Sequence, residues 1–189
     1  MFLPKRISNP FWWPPIAVLA GCPTPQSLFA GSTDGRVQLT PAWLPRPMTL
    51  SHLAIPLQGV GAGDLIRLCV YSDNGFTPQG GKLLLDSGSI TPAASAANVP
   101  NIFQLPTPLR LGKGIYWLGW MSHNPSTNLI SQTASFQPLF NDTGNEMMTG
   151  CHYIPSGGFG PFIDPCPTVT RDVFGTVSVI MMRIKSIDG

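Results

Sequence analysis

The chain has 189 residues, 20 of them glycine and 21 proline, and only 11% are charged, for a formal net charge of +2. That length suits one domain with an extended arm and leaves little room for two. The few basic residues are dispersed, which excludes a nucleic-acid stripe; no apolar run approaches the roughly 20 residues of a membrane-crossing helix; and the scatter of glycine and proline excludes a helical fold.

Residues 1–30 read as an extended Pro-rich docking arm. Lys5 and Arg6 precede the apolar stretch Phe11 to Ala20, which ends in Leu19-Ala20-Gly21-Cys22, the pattern of a bacterial lipobox with Cys22 as the lipid-bearing residue. Pro14 and Pro15 interrupt that run and argue against processing there. Phe11, Trp12 and Trp13 are large apolar rings in a segment with little helical or strand character, so they seek a pocket and are the candidate assembly interface. The pocket can belong to the chain's own body, a sister subunit or another protein.

Residues 31–189 read as one β-sandwich domain. Met48 to Leu57 alternates, with Leu53, Ile55 and Leu57 on one face behind Thr49 and Ser51. Asp64 to Tyr71 sets Ile66, Leu68 and Val70 against Arg67, Cys69 and Tyr71. Ser72-Asp73-Asn74-Gly75 supplies a turn, because Asn and Gly tolerate positive φ, and Leu83 to Leu85 returns as a short buried strand. Gly112 to Met121 is apolar on both faces, as a central strand is. Residues 122–175 form a long loop region, within which Asn124 to Gln137 predicts a further strand and Gly157 to Pro161 a loop. Thr176 to Asp188, the longest stretch free of glycine and proline, closes the chain with a strand. Seven or eight such strands predict an all-β, antiparallel sandwich, jelly-roll-like or Ig-like.

The residues that carry chemistry have plain structural accounts. Cys22, Cys69, Cys151 and Cys166 show neither CxxC nor zinc-like spacing to histidine, and Cys69 reads as a small buried hydrophobe. Cys151 and Cys166 flank a loop that a disulfide can close, but four cysteines allow three pairings. His52, His123 and His152 lie far apart, and none has a neighbouring Ser, Cys or carboxylate arrangement that marks a nucleophile and base. Asp73, Asn74 and Asp86 can approach one another across the hairpin and offer oxygens to calcium, yet turn formation accounts for the first two more simply. Tyr71, Tyr116 and Trp120 can stack on a sugar, but aromatic residues in a central strand belong first to a core. No catalytic residue, metal or cofactor is expected.

One segment resembles a known family. A strand ending in Val70-Tyr71, the turn Asp73-Asn74-Gly75, a loop with Pro78 and Gly80, then Leu83-Leu84-Leu85-Asp86 with Gly88, and later Gly114, Tyr116, Trp117 and Leu118, resembles a segment of accessory virion proteins of tailed bacteriophages. The resemblance covers about Leu39 to Trp120. The loop 76–81 is padded relative to that pattern, and residues 1–30 and 122–175 match nothing in it. The resemblance implies a non-enzymatic β-sandwich protein of the virion, in the tail, baseplate or tail fibre, assembled in the host cytoplasm, where cysteines stay reduced. Its implied partners are other virion proteins and copies of itself, typically as a trimer, with a host-surface glycan as a further one; neither nucleic acid nor membrane insertion is implied. Low charge agrees with this, since about 25% charged residues is usual and a surface covered by other subunits needs fewer. A capsid decoration protein that stabilises the head fits the same features, and a secreted carbohydrate-binding module requires the lipobox to be genuine.

Overall fold

The computed structural model describes residues 11–13, 27–29, 35–58, 60–93, 100–124, 127–133, 150–171, 176–178 and 180–187. Cys22 and most of the arm lie outside these. Among the described residues, thirteen strands run in chain order: β1 (Phe11–Trp13), β2 (Ser27–Phe29), β3 (Val37–Leu44), β4 (Met48–Gln58), β5 (Ile66–Ser72), β6 (Leu83–Asp86), β7 (Pro100–Leu111), β8 (Gly114–Ser122), β9 (Asn128–Thr133), β10 (Cys151–Tyr153), β11 (Thr170–Arg171), β12 (Thr176–Ser178) and β13 (Met181–Ile187). No α-helix occurs among the described residues.

The strands form two antiparallel sheets, and the fold is all-β, a sandwich. The first sheet runs β1-β13-β4-β9-β12, with β7 also on β4 and β2 also on β9; the second runs β11-β10-β3-β8-β5-β6. The two three-residue stretches of the arm, β1 and β2, pair with β13 and β9 of the chain's own first sheet. Asn124 to Gln137, predicted to hold a strand, contributes β9.

The main core lies between the sheets. Met48, Leu50, Leu53, Ile55 and Leu57 of β4 meet Ile66, Leu68 and Val70 of β5 and Leu118 and Trp120 of β8. Strict alternation along β4 would turn Met48 and Leu50 away from Leu53, Ile55 and Leu57. A bulge against β7 between Leu50 and His52 shifts the register, so that both sets face inward.

A second core lies on the outward face of the second sheet, where Val37, Leu39, Cys69, Tyr71, Trp117, Met121, Cys151 and Tyr153 are buried with Phe162 and Cys166. β8 is thus apolar on both sides for the reason its sequence suggests: it is a central strand buried twice. The cover is the segment 154–169 that follows β10. It is fastened by backbone bonds from Gly80 N to Cys166 O (2.8 Å) and from Cys166 N to Gly81 O (2.9 Å), and by Leu83 N donating to the Asp164 carboxylate (2.9 Å). Part of the long loop region therefore packs on the chain's own sheet.

Proline explains two strands that hydrophobic alternation does not reveal. Pro41 sits inside β3, where, among the described residues, β10 pairs with Val37 to Leu39 and β8 is the strand in register with Pro41. β7 carries Pro100, Pro106 and Pro108 and, among the described residues, pairs with β4 alone; prolines on such an edge remove donors that a further strand would use.

Candidate functional site: a hairpin tip and an apolar cleft

The segment that carries the phage resemblance forms β5, the hairpin loop, β6 and β8, and its polar residues are committed to holding that loop. One carboxylate oxygen of Asp73 accepts from Trp117 Nε1 (2.8 Å) and the other from Phe76 N (3.0 Å). Asn74 N donates to Thr77 O (2.8 Å), and its side-chain amide donates to Gln79 O (3.0 Å). Asp86 accepts two bonds from Arg67 (2.8 and 2.7 Å), and it also accepts from Gly88 N (2.9 Å) and Phe162 N (3.3 Å). Arg67 lies against the Phe162 ring as well, 5.9 Å from its centroid. The oxygens that calcium would need thus face N–H donors, and no cluster of three or more metal-ligating side chains occurs among the described residues.

The aromatic candidates for sugar stacking are largely inside. Tyr71 and Trp120 are buried, and Trp120 Nε1 donates to Gln38 Oε1 at 3.0 Å. Tyr71 Oη donates to Ile163 O (2.7 Å) and lies 3.0 Å from Tyr153 Oη, and burial pushes both phenols well up from their ordinary value. Tyr116 is half-buried and donates to Gly112 O (3.2 Å).

Cys69, Cys151 and Cys166 are buried and none is joined to another in a disulfide. Burial pushes Cys166 up to about 12 and Cys69 well above the ordinary value, so neither is a ready nucleophile. Cys69 is the small buried residue that its strand position predicts.

His52 contacts its sequence neighbour Ser51: its Nδ1 lies 2.9 Å from Ser51 Oγ, and Ser51 Oγ donates to Arg183 O at 3.4 Å. Desolvation, followed by the charge of Arg183, lowers the pKa of His52, which suits a base, but no carboxylate is hydrogen-bonded to the ring as an orienting partner. His123 is exposed and meets Phe159 edge-on, with centroids 5.6 Å apart. Asp64, buried at the turn before β5, is desolvated, which raises its pKa; bonds from Gly61 N (2.6 Å), Asn124 Nδ2 (2.6 Å) and Thr127 Oγ1 (2.8 Å) outweigh this and hold it low. It pins one loop to another.

Among exposed polar residues such as Lys82, Gln104 and Lys113, the described surface also presents large apolar side chains. Trp43, Phe76, Ile102, Ile154 and Ile163 are exposed. Phe76 is 59% exposed and has φ of +64°, left-handed backbone that costs a non-glycine residue roughly 1–2 kcal/mol. The Asp73 carboxylate that accepts its N–H supports that conformation. Ile102 and Phe103 of β7 and Ile90 to Pro92 line a cleft of about 350 Å³, whose floor is the buried Ile55 of β4 and Ile66 and Leu68 of β5. Sequence reasoning missed both features. A phenylalanine directly after Asn74-Gly75 was the available signal for the tip; the cleft joins segments distant in sequence and had none.

The candidate interface Phe11, Trp12 and Trp13 forms β1, in register with Ile184, Arg183 and Met182; its side chains lie outside what the structure describes. Among known proteins, no family model matches the chain and no curated protein matches it significantly.

Proposed function

We propose that the chain is a non-enzymatic structural protein of a tailed-phage virion, a tail, baseplate or tail-fibre component mounted through its N-terminal arm. The observation that carries this reading is the exposure of large apolar side chains, Trp43, Phe76 and Ile102 among them, on a lightly charged chain. Such a surface suits contact with other proteins better than life as a free monomer. The phage-like segment adds to it, and we read the sandwich as a jelly-roll-like or Ig-like variant.

Immunogold labelling of intact virions with serum against residues 35–189 tests the reading. Gold on the tail or its tip is expected. Gold over the head would replace it with capsid decoration, and virions without gold would refute both.

A further inference from the structure

Asn74-Gly75 is the only Asn-Gly pair in the sequence, and the fold leaves its reacting atoms open. Both residues are exposed in the hairpin loop between β5 and β6. Of the three successive backbone amides there, Asn74 N donates to Thr77 O (2.8 Å) and Phe76 N to the Asp73 carboxylate (3.0 Å), whereas Gly75 N has no acceptor among the described residues. The Asn74 side chain is tethered through its nitrogen, which donates to Gln79 O (3.0 Å); among the described residues no donor reaches its oxygen. Even a Cβ at position 75 would meet nothing within 4 Å, so nothing crowds the approach of Gly75 N to the side-chain carbonyl carbon of Asn74. We propose that Asn74 is a site of spontaneous deamidation and that its product loosens the hairpin loop.

The reaction needs only water, and asparagine is one of the thermolabile residues. Gly75 N gives its proton to solvent and bonds to Cγ of Asn74; the Cγ–Nδ2 bond breaks, and Nδ2 takes up a solvent proton and leaves as ammonia. The succinimide ring that remains adds one water. Attack at Cγ restores the main chain with an aspartate, whereas attack at the main-chain carbonyl carbon gives isoaspartate, in which the main chain runs through the side chain. Nothing is oxidised or reduced. The consequence follows from what the amide holds. A carboxylate at position 74 has no proton to donate, so it sets oxygen against the oxygen of Gln79, and it puts a second negative charge beside Asp73. Gln79 precedes Gly80, whose N–H donates to Cys166 O (2.8 Å), so the loosened stretch adjoins one fastening of the 154–169 cover.

The test is independent of the virion reading. The full-length chain is aged in solution at neutral and at mildly alkaline pH, beside a sample unfolded in urea. The tryptic peptide Leu68–Lys82 is then followed by mass spectrometry, with fragmentation that separates aspartate from isoaspartate. The folded chain is expected to gain both products at position 74, faster at the higher pH and ahead of Asn101, Asn124 and Asn128, which precede Ile, Pro and Leu. Asn74→Gln, which would have to close a larger ring, is expected to keep its amide. In limited proteolysis, the aged wild type and fresh Asn74→Asp are expected to be cut within residues 73–81 faster than the fresh wild type, and circular dichroism checks that each remains folded. A residue 74 that stays intact in the folded chain would overturn the site, the urea sample showing whether the fold protects it. Equal reaction at Asn101, Asn124 or Asn128 would overturn its selectivity, and aged or Asn74→Asp chains cut no faster than fresh wild type would overturn the loosening of the loop.

Discussion

Gly119 shows how closely the second core is built. Across the second sheet the register runs from Cys151 to Leu39, from Leu39 to Gly119, and from Gly119 to Cys69. A Cβ at Gly119 would lie 2.6 Å from Leu39 Cδ2 and closer still to Cys69 Sγ, so the glycine makes room for both neighbours. Gly119→Ala is expected to destabilise the chain by about 1–3 kcal/mol in urea unfolding, the usual cost of overpacking. Adding Cys69→Ala removes the sulfur and should restore part of the loss, because the two positions touch. The buried thiols and phenols give a pH dependence of definite sign. Burial raises Cys69, Cys166, Tyr71 and Tyr153 in the folded chain, while in the unfolded chain these groups ionise near 9 and 10. The folded state therefore binds more protons in alkali, and stability should hold below about pH 9 and fall as pH rises beyond it. Unfolding free energies measured from pH 7 to 11 check this, and a flat profile would mean that these groups are not buried in solution.

The elements differ in how legible they were. β5, the Asp73-Asn74-Gly75 turn and β8 followed from alternation and turn chemistry, because those signals are local; β6 is half-buried where a buried strand was expected, and the expected closing strand is two, β12 and β13. Prolines hid β3 and β7, because proline is read as a break in a strand. The 154–169 cover was unreadable, since what defines it is a sheet face built from residues 37–121. Tyr71 is its chief polar latch, bonded to Ile163 O and Tyr153 Oη. Tyr71→Phe keeps the ring but leaves Ile163 O without that donor, a loss of about 1–2 kcal/mol. Limited proteolysis should then cut within 154–169 faster than in the wild type, in parallel with a lower urea midpoint. Equal cutting rates would show that apolar contacts from Phe162 and Cys166 suffice to hold the cover.

For the whole molecule, the arm and the body separate into testable roles. Both cores, as far as the described residues go, are assembled from positions 37–187, whereas β1 adds only a three-residue edge to β13. A chain lacking residues 1–25 should keep its β-sheet circular dichroism and lose little in thermal stability, because no described core side chain is removed. It does expose the edge of β13, but that edge carries Arg183 and Lys185, charges of the kind that discourage stray pairing. Incorporation into particles is where the deletion should tell: a mounting arm predicts a folded protein that no longer copurifies with virions. Unchanged incorporation would reject the arm as the mount and move attachment to the apolar surface of the body. Loss of folding would make the arm part of the sandwich, and Phe11, Trp12 and Trp13 would then be core residues supplied from a distance in sequence.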